Sequence, residues 1–341
     1  MSHTDTASYR ESTRSRFSGT APAPWSILLA GGNGSRLSRL IRWFHSDERP
    51  KQFATLIGRR SMLQHTWDRA SAHSPADRAI VVLTSGQEGW ARRQLPPEAS
   101  GNFLIQPRNI GTGPAICLAI ARVMAEDPWA SVVIYPSDHF VWPEEKFQER
   151  VSHALDACNA TDDPKIVILG AEPACAEEGM GWILPGKSLG QMEKPPLFLV
   201  DRFIEKPSSI WARWLLEEGA LWNTFIMAGR ARTFWSLVWE KRPEAMGRLE
   251  LFRRHCREEA GPGQTMNIFE GLEAFDFSHD VLQQAQDHLI LHPLHGVRWR
   301  DWGTPEGFFE TIEAMGWTDK VDQKILSSEF ERPRLGEYWI G

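Results

Sequence analysis

The 341-residue sequence is poor in cysteine, has no long apolar run and carries no surplus of basic charge. Its four cysteines include no C-x-x-C pair, which excludes a disulfide framework and a cysteine-based zinc site. No apolar stretch approaches the roughly 20 residues that span a bilayer. A net charge of −6 argues against nucleic acid as the main partner. We therefore expect a protein of the reducing cytoplasm that binds neither a membrane nor nucleic acid.

The two ends of the chain differ in composition from its middle. Residues 1–24 are rich in Ser, Thr and Ala and lack the apolar core of a secretory signal, so we expect a disordered N-terminal tail. Residues 316–341 are expected to form a C-terminal tail. The segment between them, 25–315, is predicted to form the folded domain.

Short apolar runs alternate with segments of helical spacing along this domain. The apolar runs predict buried strands at 27–30, 79–83, 102–105, 132–135, 166–170 and 288–294. The periodic segments predict helices at 61–72, 87–94 and 115–125. Such alternation is typical of an α/β fold with a mostly parallel sheet, in which ligands bind outside the carboxyl ends of the strands.

The first predicted strand ends at a glycine cluster. Gly31, Gly32 and Gly34 would allow the backbone amides after the strand to surround an anion, and phosphate is the usual occupant of such nests. Arg36 and Lys51 would place two positive charges beside it. A tight surface turn with two solvated cations explains the pattern equally well, since neither G-x-x-x-x-G-K-[ST] nor the third glycine of G-x-G-x-x-G is present.

Two further polar segments follow predicted strands and therefore fall on the same edge of the sheet. The first, Gln106–Pro114, is a turn-rich loop that leads into a helix. The second, Pro136–His139, places Asp138 just past a strand. Taken alone, this aspartate fits either the N-cap of the next helix or a hard oxygen ligand for Mg²⁺. The soft ring nitrogen of His139 is a poor ligand for that ion, and we assign it no chemistry.

In their order along the chain, these motifs resemble the signatures of sugar-nucleotide pyrophosphorylases. Gly31–Leu37 matches G-G-x-G-x-R-L, and Pro50–Phe53 resembles the mannose-1-phosphate guanylyltransferase branch of that family. Arg39 stands where the family usually has proline, and the polar loop expected at Leu40–Arg49 is a few residues longer than usual. The resemblance implies a Rossmann-like three-layer sandwich of the nucleotide-diphospho-sugar transferase type, with a mostly parallel mixed sheet.

The resemblance also divides the domain into a nucleotide half, about 25–145, and a sugar half, about 146–315. It implies that Arg36 and the glycine amides hold the β- and γ-phosphates of GTP, while Lys51 neutralises charge near the reacting phosphates. The segment Gln106–Pro114 resembles the family's R-N-T-x-P-A-I, which contacts guanine and ribose. The residues thereby assigned to the nucleotide are Ala30, Gly31, Gly32, Gly34, Arg36, Gln106, Asn109, Thr112 and Pro114.

Two matches imply a metal site. Pro136–His139 resembles the family's metal-binding P-[SA]-D-H, which makes Asp138 a ligand of Mg²⁺. Trp299–Thr304 matches W-x-D-x-G-[ST], whose aspartate, here Asp301, is the second ligand. The implied catalytic set is Arg36, Lys51, Asp138 and Asp301.

Two matches imply contacts with the sugar phosphate. Glu178–Ile183 resembles E-x-G-Y-G-Y-I, and Gly181 would let the backbone approach a sugar hydroxyl. Phe203–Pro207 matches F-x-E-K-P, which assigns Glu205 to sugar hydroxyls and Lys206 to the sugar phosphate.

The remaining matches depart further from the family. Trp222–Phe225 resembles W-N-S-G, in which the asparagine, here Asn223, binds the sugar. Phe225 replaces the glycine of that motif, which would make the floor of the pocket bulkier or reshape it. Asp276–Leu282 resembles S-[IF]-D-x-x-[VI]-[LM] only loosely, with Asp and Ser exchanged, and we assign it no role.

The implied reaction joins GTP and mannose 1-phosphate into GDP-mannose and releases pyrophosphate, with Mg²⁺. A phosphate monoester has a second pKa near 6, so the nucleophile is already ionised at neutral pH and needs no general base. Charge neutralisation and in-line positioning should therefore supply most of the catalysis. One alternative is a related enzyme with another base or sugar, and the other is a non-catalytic regulatory subunit. The retained charged set argues against the subunit, and the oligomeric state, including a homodimer, stays open.

Overall fold

The structure, a computed structural model, describes residues 22–160, 165–189, 196–257, 269, 271–318 and 321. Most of the two predicted tails, residues 1–21, 319–320 and 322–341, lies outside the described residues. Over the described ranges no helix combines the length and the apolar character that crossing a membrane requires.

The described residues form eleven strands, and the six that we predicted are among them, with bounds within two residues of the prediction. They are β1 Trp25–Leu29, β2 Ala79–Thr84, β3 Phe103–Gln106, β4 Ser131–Pro136, β5 Phe140–Trp142, β6 Ile166–Ala171, β7 Gly181–Ser188, β8 Phe198–Glu205, β9 Leu221–Arg230, β10 Leu289–Pro293 and β11 Arg298–Arg300. Nine of them form one sheet in the order β3-β2-β1-β4-β9-β6-β10-β8-β7, and β5 pairs with β11 separately.

The same part of the chain contains nine α-helices, and the three that we predicted are among them. They are α1 Ser38–His45, α2 Met62–Ser71, α3 Glu88–Gln94, α4 Thr112–Glu126, α5 Glu144–Ala160, α6 Ser209–Glu217, α7 Ala231–Lys241, α8 Pro243–Arg257 and α9 Pro305–Ala314. The predicted alternation of strands and helices in an α/β fold is therefore confirmed.

The sheet is mixed, as predicted, but its parallel character is confined to parts of its width. The strands β3, β2, β1 and β4 are parallel neighbours, and so are β6 and β10. Both β9 and β8 run against the strands beside them. Among the described pairs of the nine-stranded sheet, four are parallel and five are antiparallel, because the two reversed strands each pair with more than one neighbour.

Successive side chains of the central strands join two hydrophobic clusters on opposite faces of the sheet. In β4, Val132 and Ile134 belong to the cluster that contains residues of α4, α7 and α8. The alternate residues Val133 and Tyr135 belong to the cluster that contains residues of α2, α3, α5 and α6. Helices therefore bury both faces of the sheet and leave the carboxyl ends of its parallel strands as the open edge.

The prediction of a loop at Leu40–Arg49 is wrong for its first part, which belongs to the helix α1. Leu40 and Ile41 are buried, and Phe44 packs edge-on against Phe308 of α9 with ring centroids 5.9 Å apart. Apolar residues at this spacing define one face of a helix, and that face forms a third hydrophobic cluster with α9. The helix α1 therefore links the glycine loop to the C-terminal end of the described fold.

Candidate active site

A cleft of about 430 Å³ opens at the carboxyl ends of β1, β3 and β4 and continues to the end of β8. Most residues assigned to ligands from the sequence line it. They are Gly31, Gly32, Arg36, Gln106, Asn109, Thr112, Asp138, Gly181, Glu205, Lys206, Asn223 and Asp301. Four others do not line it; three of these are buried, and Gly34 is half-buried. The four are Ala30, Gly34, Lys51 and Pro114.

Side chains hold the glycine loop by binding its carbonyl groups. The Gln52 side-chain amide donates to the carbonyl oxygens of Ala30 and Gly32 at 2.5 and 2.8 Å. The Thr84 hydroxyl donates to the Gly31 carbonyl at 2.8 Å. Among the described residues, the amides of Gly31 and Gly32 have no acceptor. These two amides can therefore donate to a ligand in the cleft, and an anion such as phosphate is a suitable acceptor.

Lys51 lies under the loop, where its buried ammonium joins distant parts of the sequence. Gly34 has φ 58°, and a Cβ there would lie 2.5 Å from Lys51 Cβ, so this turn requires glycine. The Lys51 side chain is only 5% exposed, and its Nζ lies 3.2 Å from Asp138 Oδ2. The same ammonium donates to the backbone carbonyl of Asp301.

Asp138 lies in the bend between β4 and β5, and the next helix begins only at Glu144. The N-cap alternative is therefore excluded. Burial opposes ionisation of Asp138, but the Lys51 ammonium outweighs it and holds the pKa of this carboxyl below its ordinary value. His139 packs edge-on against Trp299 with ring centroids 4.9 Å apart, and the loss of water around the ring lowers its pKa, so the ring is neutral near pH 7.

Asp301 reaches the cleft from the end of β11. Its Oδ1 accepts from the Gly303 amide at 2.9 Å, and its Oδ2 lies 3.9 Å from Arg36 Nη2. Between them, Trp302 adopts φ 44° and stacks on Phe140 with ring centroids 4.8 Å apart. The stacked indole turns the chain so that Asp301 and Gly303 face Arg36.

Two carboxylates at the cleft surface form a donor set that fits Mg²⁺. The Asp138 and Asp301 side chains are 37% and 33% exposed. Across the described ranges no group of three or more His, Cys, Asp or Glu side chains is placed to hold a metal. Mg²⁺ is commonly bound by one or two carboxylates, with substrate phosphates and water completing its six ligands. The residues present therefore match that ion better than one that needs a full protein cage.

The segment after β3 shapes the next wall of the cleft. Gln106 is 2% exposed, and its Oε1 has no hydrogen-bond partner among the described residues. Asn109 Oδ1 accepts from the Gly111 amide at 3.0 Å, which closes the turn before α4. Thr112 begins that helix at the cleft, whereas Pro114 is buried in its first turn.

In the sugar half, a buried carboxylate lies beside an exposed ammonium. The Glu205 side chain is 11% exposed, and burial, together with the nearby charge of Asp276, raises its pKa. Lys206 Nζ lies 3.5 Å from Glu205 Oε1 and is 63% exposed. A Cβ on Gly181 would lie 2.5 Å from Glu205 Oε2, so glycine leaves the room that the Glu205 carboxylate occupies.

Asn223 is held by bonds at both ends of its amide. Its Nδ2 donates to Ser278 Oγ at 3.2 Å, and its Oδ1 accepts from the Phe225 amide at 2.9 Å. Phe225 has φ 60°, a left-handed conformation that suits the glycine of the related motif far better than phenylalanine. Phe225 also lines the cleft.

Asp276 and Ser278, to which we assigned no role, also line the cleft. Their segment docks on the start of α4, where the Phe275 carbonyl accepts from the Gly113 amide at 3.1 Å. A Cβ on Gly113 would lie 2.1 Å from the Phe275 ring. In the sequence, the loose match to a family motif was the one indication that these residues belong to the site. We assigned them no role because Asp and Ser are exchanged relative to that motif.

Comparison with known proteins identifies the family. A model of the nucleotidyl transferase family matches residues 25–316. The chain belongs to that family. This nucleotidyl transferase is 34% identical over 300 residues to the xanthan biosynthesis protein XanB of Xanthomonas campestris, a match that covers 85% of the chain and 60% of the relative. It is 30% identical over 285 residues to the mannose-1-phosphate guanylyltransferase RfbM of Salmonella typhimurium, covering 82% and 56%.

The chain thus spans less than two thirds of the length of these curated relatives. Among solved structures, one from Thermus thermophilus described as a mannose-1-phosphate geranyltransferase has a TM-score of 0.68 at 26% identity, over 82% of this chain and 76% of the other. A Helicobacter pylori protein described as a mannose-6-phosphate isomerase has a TM-score of 0.62 at 20% identity, over 82% and 99%, and shares the fold. The family resemblance predicted from the motifs is confirmed.

Proposed function

We propose that this nucleotidyl transferase transfers the guanylyl group of GTP to mannose 1-phosphate, giving GDP-mannose and pyrophosphate. One observation carries the proposal. The buried Lys51 ammonium lies between the Asp138 carboxylate and the Asp301 carbonyl, behind a cleft that has unpaired glycine amides at one end and Glu205 at the other. Relatives named mannose-1-phosphate guanylyltransferase support the choice of substrates.

The residues of the phosphate end act by position and charge. The glycine amides and Arg36 bind the β- and γ-phosphates of GTP. An oxygen of the sugar phosphate attacks the α-phosphorus while the bond to the β-phosphate oxygen breaks, and pyrophosphate leaves. Lys51 offsets the negative charge that gathers there. Asp138 and Asp301 would hold Mg²⁺, which supplies further positive charge to the phosphate oxygens when it is bound.

The residues of the sugar end hold the acceptor. Lys206 pairs with the phosphate of the sugar, Glu205 accepts from its hydroxyls, and Asn223 binds it through the hydrogen-bonding capacity that its two bonds to the chain leave free. Gly181 leaves room for a hydroxyl beside the backbone. On the other side of the cleft, Gln106, Asn109 and Thr112 contact the base and the ribose.

We infer the finer architecture and setting from the same features. The two clusters that cover opposite faces of the sheet support a three-layer sandwich. The protein is proposed to act in the cytoplasm without a membrane or nucleic-acid partner. A homodimer stays a prediction, and light scattering of the purified chain would test it.

Pyrophosphate release, measured over a panel of nucleoside triphosphates and sugar 1-phosphates, tests the proposed function. We expect GTP with mannose 1-phosphate to give the highest kcat/KM. If another pair of substrates gives the strongest release, the proposed substrates are wrong but the proposed type of reaction stands. No release with any pair would favour the regulatory subunit.

Phe225 favours a second candidate, the same transfer to a different sugar 1-phosphate. A phenylalanine with positive φ costs about 1 kcal/mol or more, so its retention points to a use for the ring in the cleft. In either candidate, Phe225→Gly should enlarge the pocket and broaden the range of hexose 1-phosphates used. Phe234→Leu, on a buried residue of α7 outside the cleft, controls for loss of aromatic packing.

A further inference from the structure

Arg69, on α2, places a buried guanidinium behind the turn that carries Asp138. Its side chain is 6% exposed. Its Nε and Nη2 donate to the two carboxylate oxygens of Glu144 at 2.9 and 2.7 Å, and Glu144 is the first residue of α5. Its Nη1 donates to the backbone carbonyl of His139 at 3.2 Å. One planar group therefore fixes a helix start and the peptide group between His139 and Phe140, one residue beyond Asp138.

The other side of the turn is fixed by β1. The amide and the hydroxyl of Ser137 both donate to the Leu29 carbonyl, at 3.2 and 2.7 Å. Asp138 thus lies between two anchored peptides. These two anchored segments of backbone fix the position of the Asp138 carboxylate, whose Oδ2 lies 3.2 Å from Lys51 Nζ.

The cost of burying Arg69 makes its bond to the His139 carbonyl informative. A buried guanidinium is tolerated only when its donors are satisfied and its charge is balanced. Pairing with Glu144 alone would tie α2 to α5 and balance the charge. The remaining nitrogen, Nη1, donates to the carbonyl of His139, one residue after Asp138. This bond is not needed to tie α2 to α5.

We propose that Arg69 is a positioning residue, which fixes the Asp138 carboxylate for a divalent cation by holding the His139 carbonyl. This inference rests on the proposed function, in which Asp138 is a metal ligand. A lysine at this position would keep the charge but lacks the fork that binds a carboxylate and a carbonyl together.

The test measures Mn²⁺ binding to the free protein by electron paramagnetic resonance, together with thermal unfolding without metal. Groups that orient a metal ligand typically change affinity by about 10- to 100-fold when replaced, so Arg69→Lys should raise the Mn²⁺ dissociation constant about tenfold. Glu144→Gln is the control for the tie between the helices. It removes the balancing charge and one acceptor of Arg69, which should lower the melting temperature, while its remaining side-chain oxygen still accepts from Arg69 and the bond to His139 stays in place. We expect it to change the constant less than about threefold.

If Arg69→Lys does not fold, Glu144→Asp draws the guanidinium away from His139 while both charges remain, and it should also weaken Mn²⁺ binding. Wild-type Mn²⁺ affinity in these two variants would overturn the role of Arg69 and leave the proposed function intact. A dissociation constant that rises equally in Arg69→Lys and Glu144→Gln would mean that the pair only ties the helices together. Equal Mn²⁺ binding by the wild type and Asp138→Asn would overturn the metal assignment itself.

Discussion

The phosphate end and the sugar end of the cleft present different kinds of groups to a ligand. At the phosphate end they are mainly backbone amides and one buried ammonium, while Gln52 and Thr84 serve to hold the carbonyls of the loop. At the sugar end they are side chains, carried on a backbone that is left-handed at Lys206 and Phe225. Substitution removes a side chain but leaves an amide. Ligand binding at the phosphate end is therefore proposed to rest partly on backbone groups that substitution leaves in place, whereas binding at the sugar end is proposed to rest on replaceable side chains.

The two ends also treat their carboxylates in opposite ways. Although burial opposes it, the Lys51 ammonium keeps the pKa of Asp138 low, so this group stays charged in mild acid. Burial raises the pKa of Glu205, so this group gains a proton at a higher pH than an ordinary glutamate. Acid should therefore weaken the sugar end before it affects Asp138.

The largest effect is expected at the phosphate end, from Asp138→Asn or Asp301→Asn. Each change removes a charged oxygen from the proposed metal site, and loss of one such group typically lowers kcat by about 10²–10³. Steady-state kinetics at saturating Mg²⁺ measures the loss, and circular dichroism checks the fold. Asp201→Asn, on an exposed residue of β8, is the control. Unchanged turnover in Asp301→Asn would remove this residue from the metal site.

Lys51→Ala should come next, with a loss of about tenfold or more in kcat and a smaller rise in the KM for GTP. The reason is that its charge counts most where negative charge gathers during transfer. The exposed Lys187 offers the control Lys187→Ala. An increase in KM alone would make Lys51 a residue that binds GTP in the ground state.

Lys206→Ala tests whether the two ends are separable. A charge-assisted hydrogen bond to the sugar phosphate is worth about 1.5–3 kcal/mol, so kcat/KM for the sugar 1-phosphate should fall roughly 10- to 150-fold. Calorimetric titration with GTP alone should give a nearly unchanged dissociation constant. If affinity for both ligands falls equally, the division into a nucleotide half and a sugar half is wrong.

The smallest effect is expected in the pH dependence of sugar binding. As the pH falls, wild-type KM for the sugar 1-phosphate should rise sooner than that of Glu205→Gln, because only the wild type protonates a carboxylate there. Comparing the two proteins cancels the titration of the phosphate itself. Parallel pH profiles would contradict the acceptor role.

The raised pKa of Glu205 in the folded protein also means that its protonated form stabilises the fold, and that this stabilisation is lost as the pH rises through that pKa. At pH 7 it is already lost, so Glu205→Gln should not lower the melting temperature there.

Local patterns in the sequence predicted six strands of the sheet and the edge where the cleft opens, because periodicity and glycine turns act over a few residues. They did not predict β9, which lies at the centre of the sheet, or β7 and β8. They missed α1, whose apolar face is short and interrupted by arginines. They also missed Arg69, because an arginine on an amphipathic helix is ordinarily solvated. Its burial depends on Glu144 and His139, which come from another part of the chain.

Pairs far apart in the sequence became predictable only through the resemblance to a family. Lys51 and Asp301 are separated by 250 residues, and no periodicity relates them. The resemblance assigned both to catalysis, and the structure places them in contact. It gave no role to Asp276, because the matching motif has serine in that place.

The packing of Gly113 against Phe275 restricts the order in which mutations can accumulate here. Any side chain at Gly113 would overlap the Phe275 ring, so a lineage that replaces this glycine must first accept a smaller residue at position 275. That intermediate would carry a cavity between the nucleotide half and the sugar half, at a cost of several kcal/mol for a buried phenylalanine. Adjacent walls of the cleft are therefore constrained to change together, although they lie far apart in the sequence.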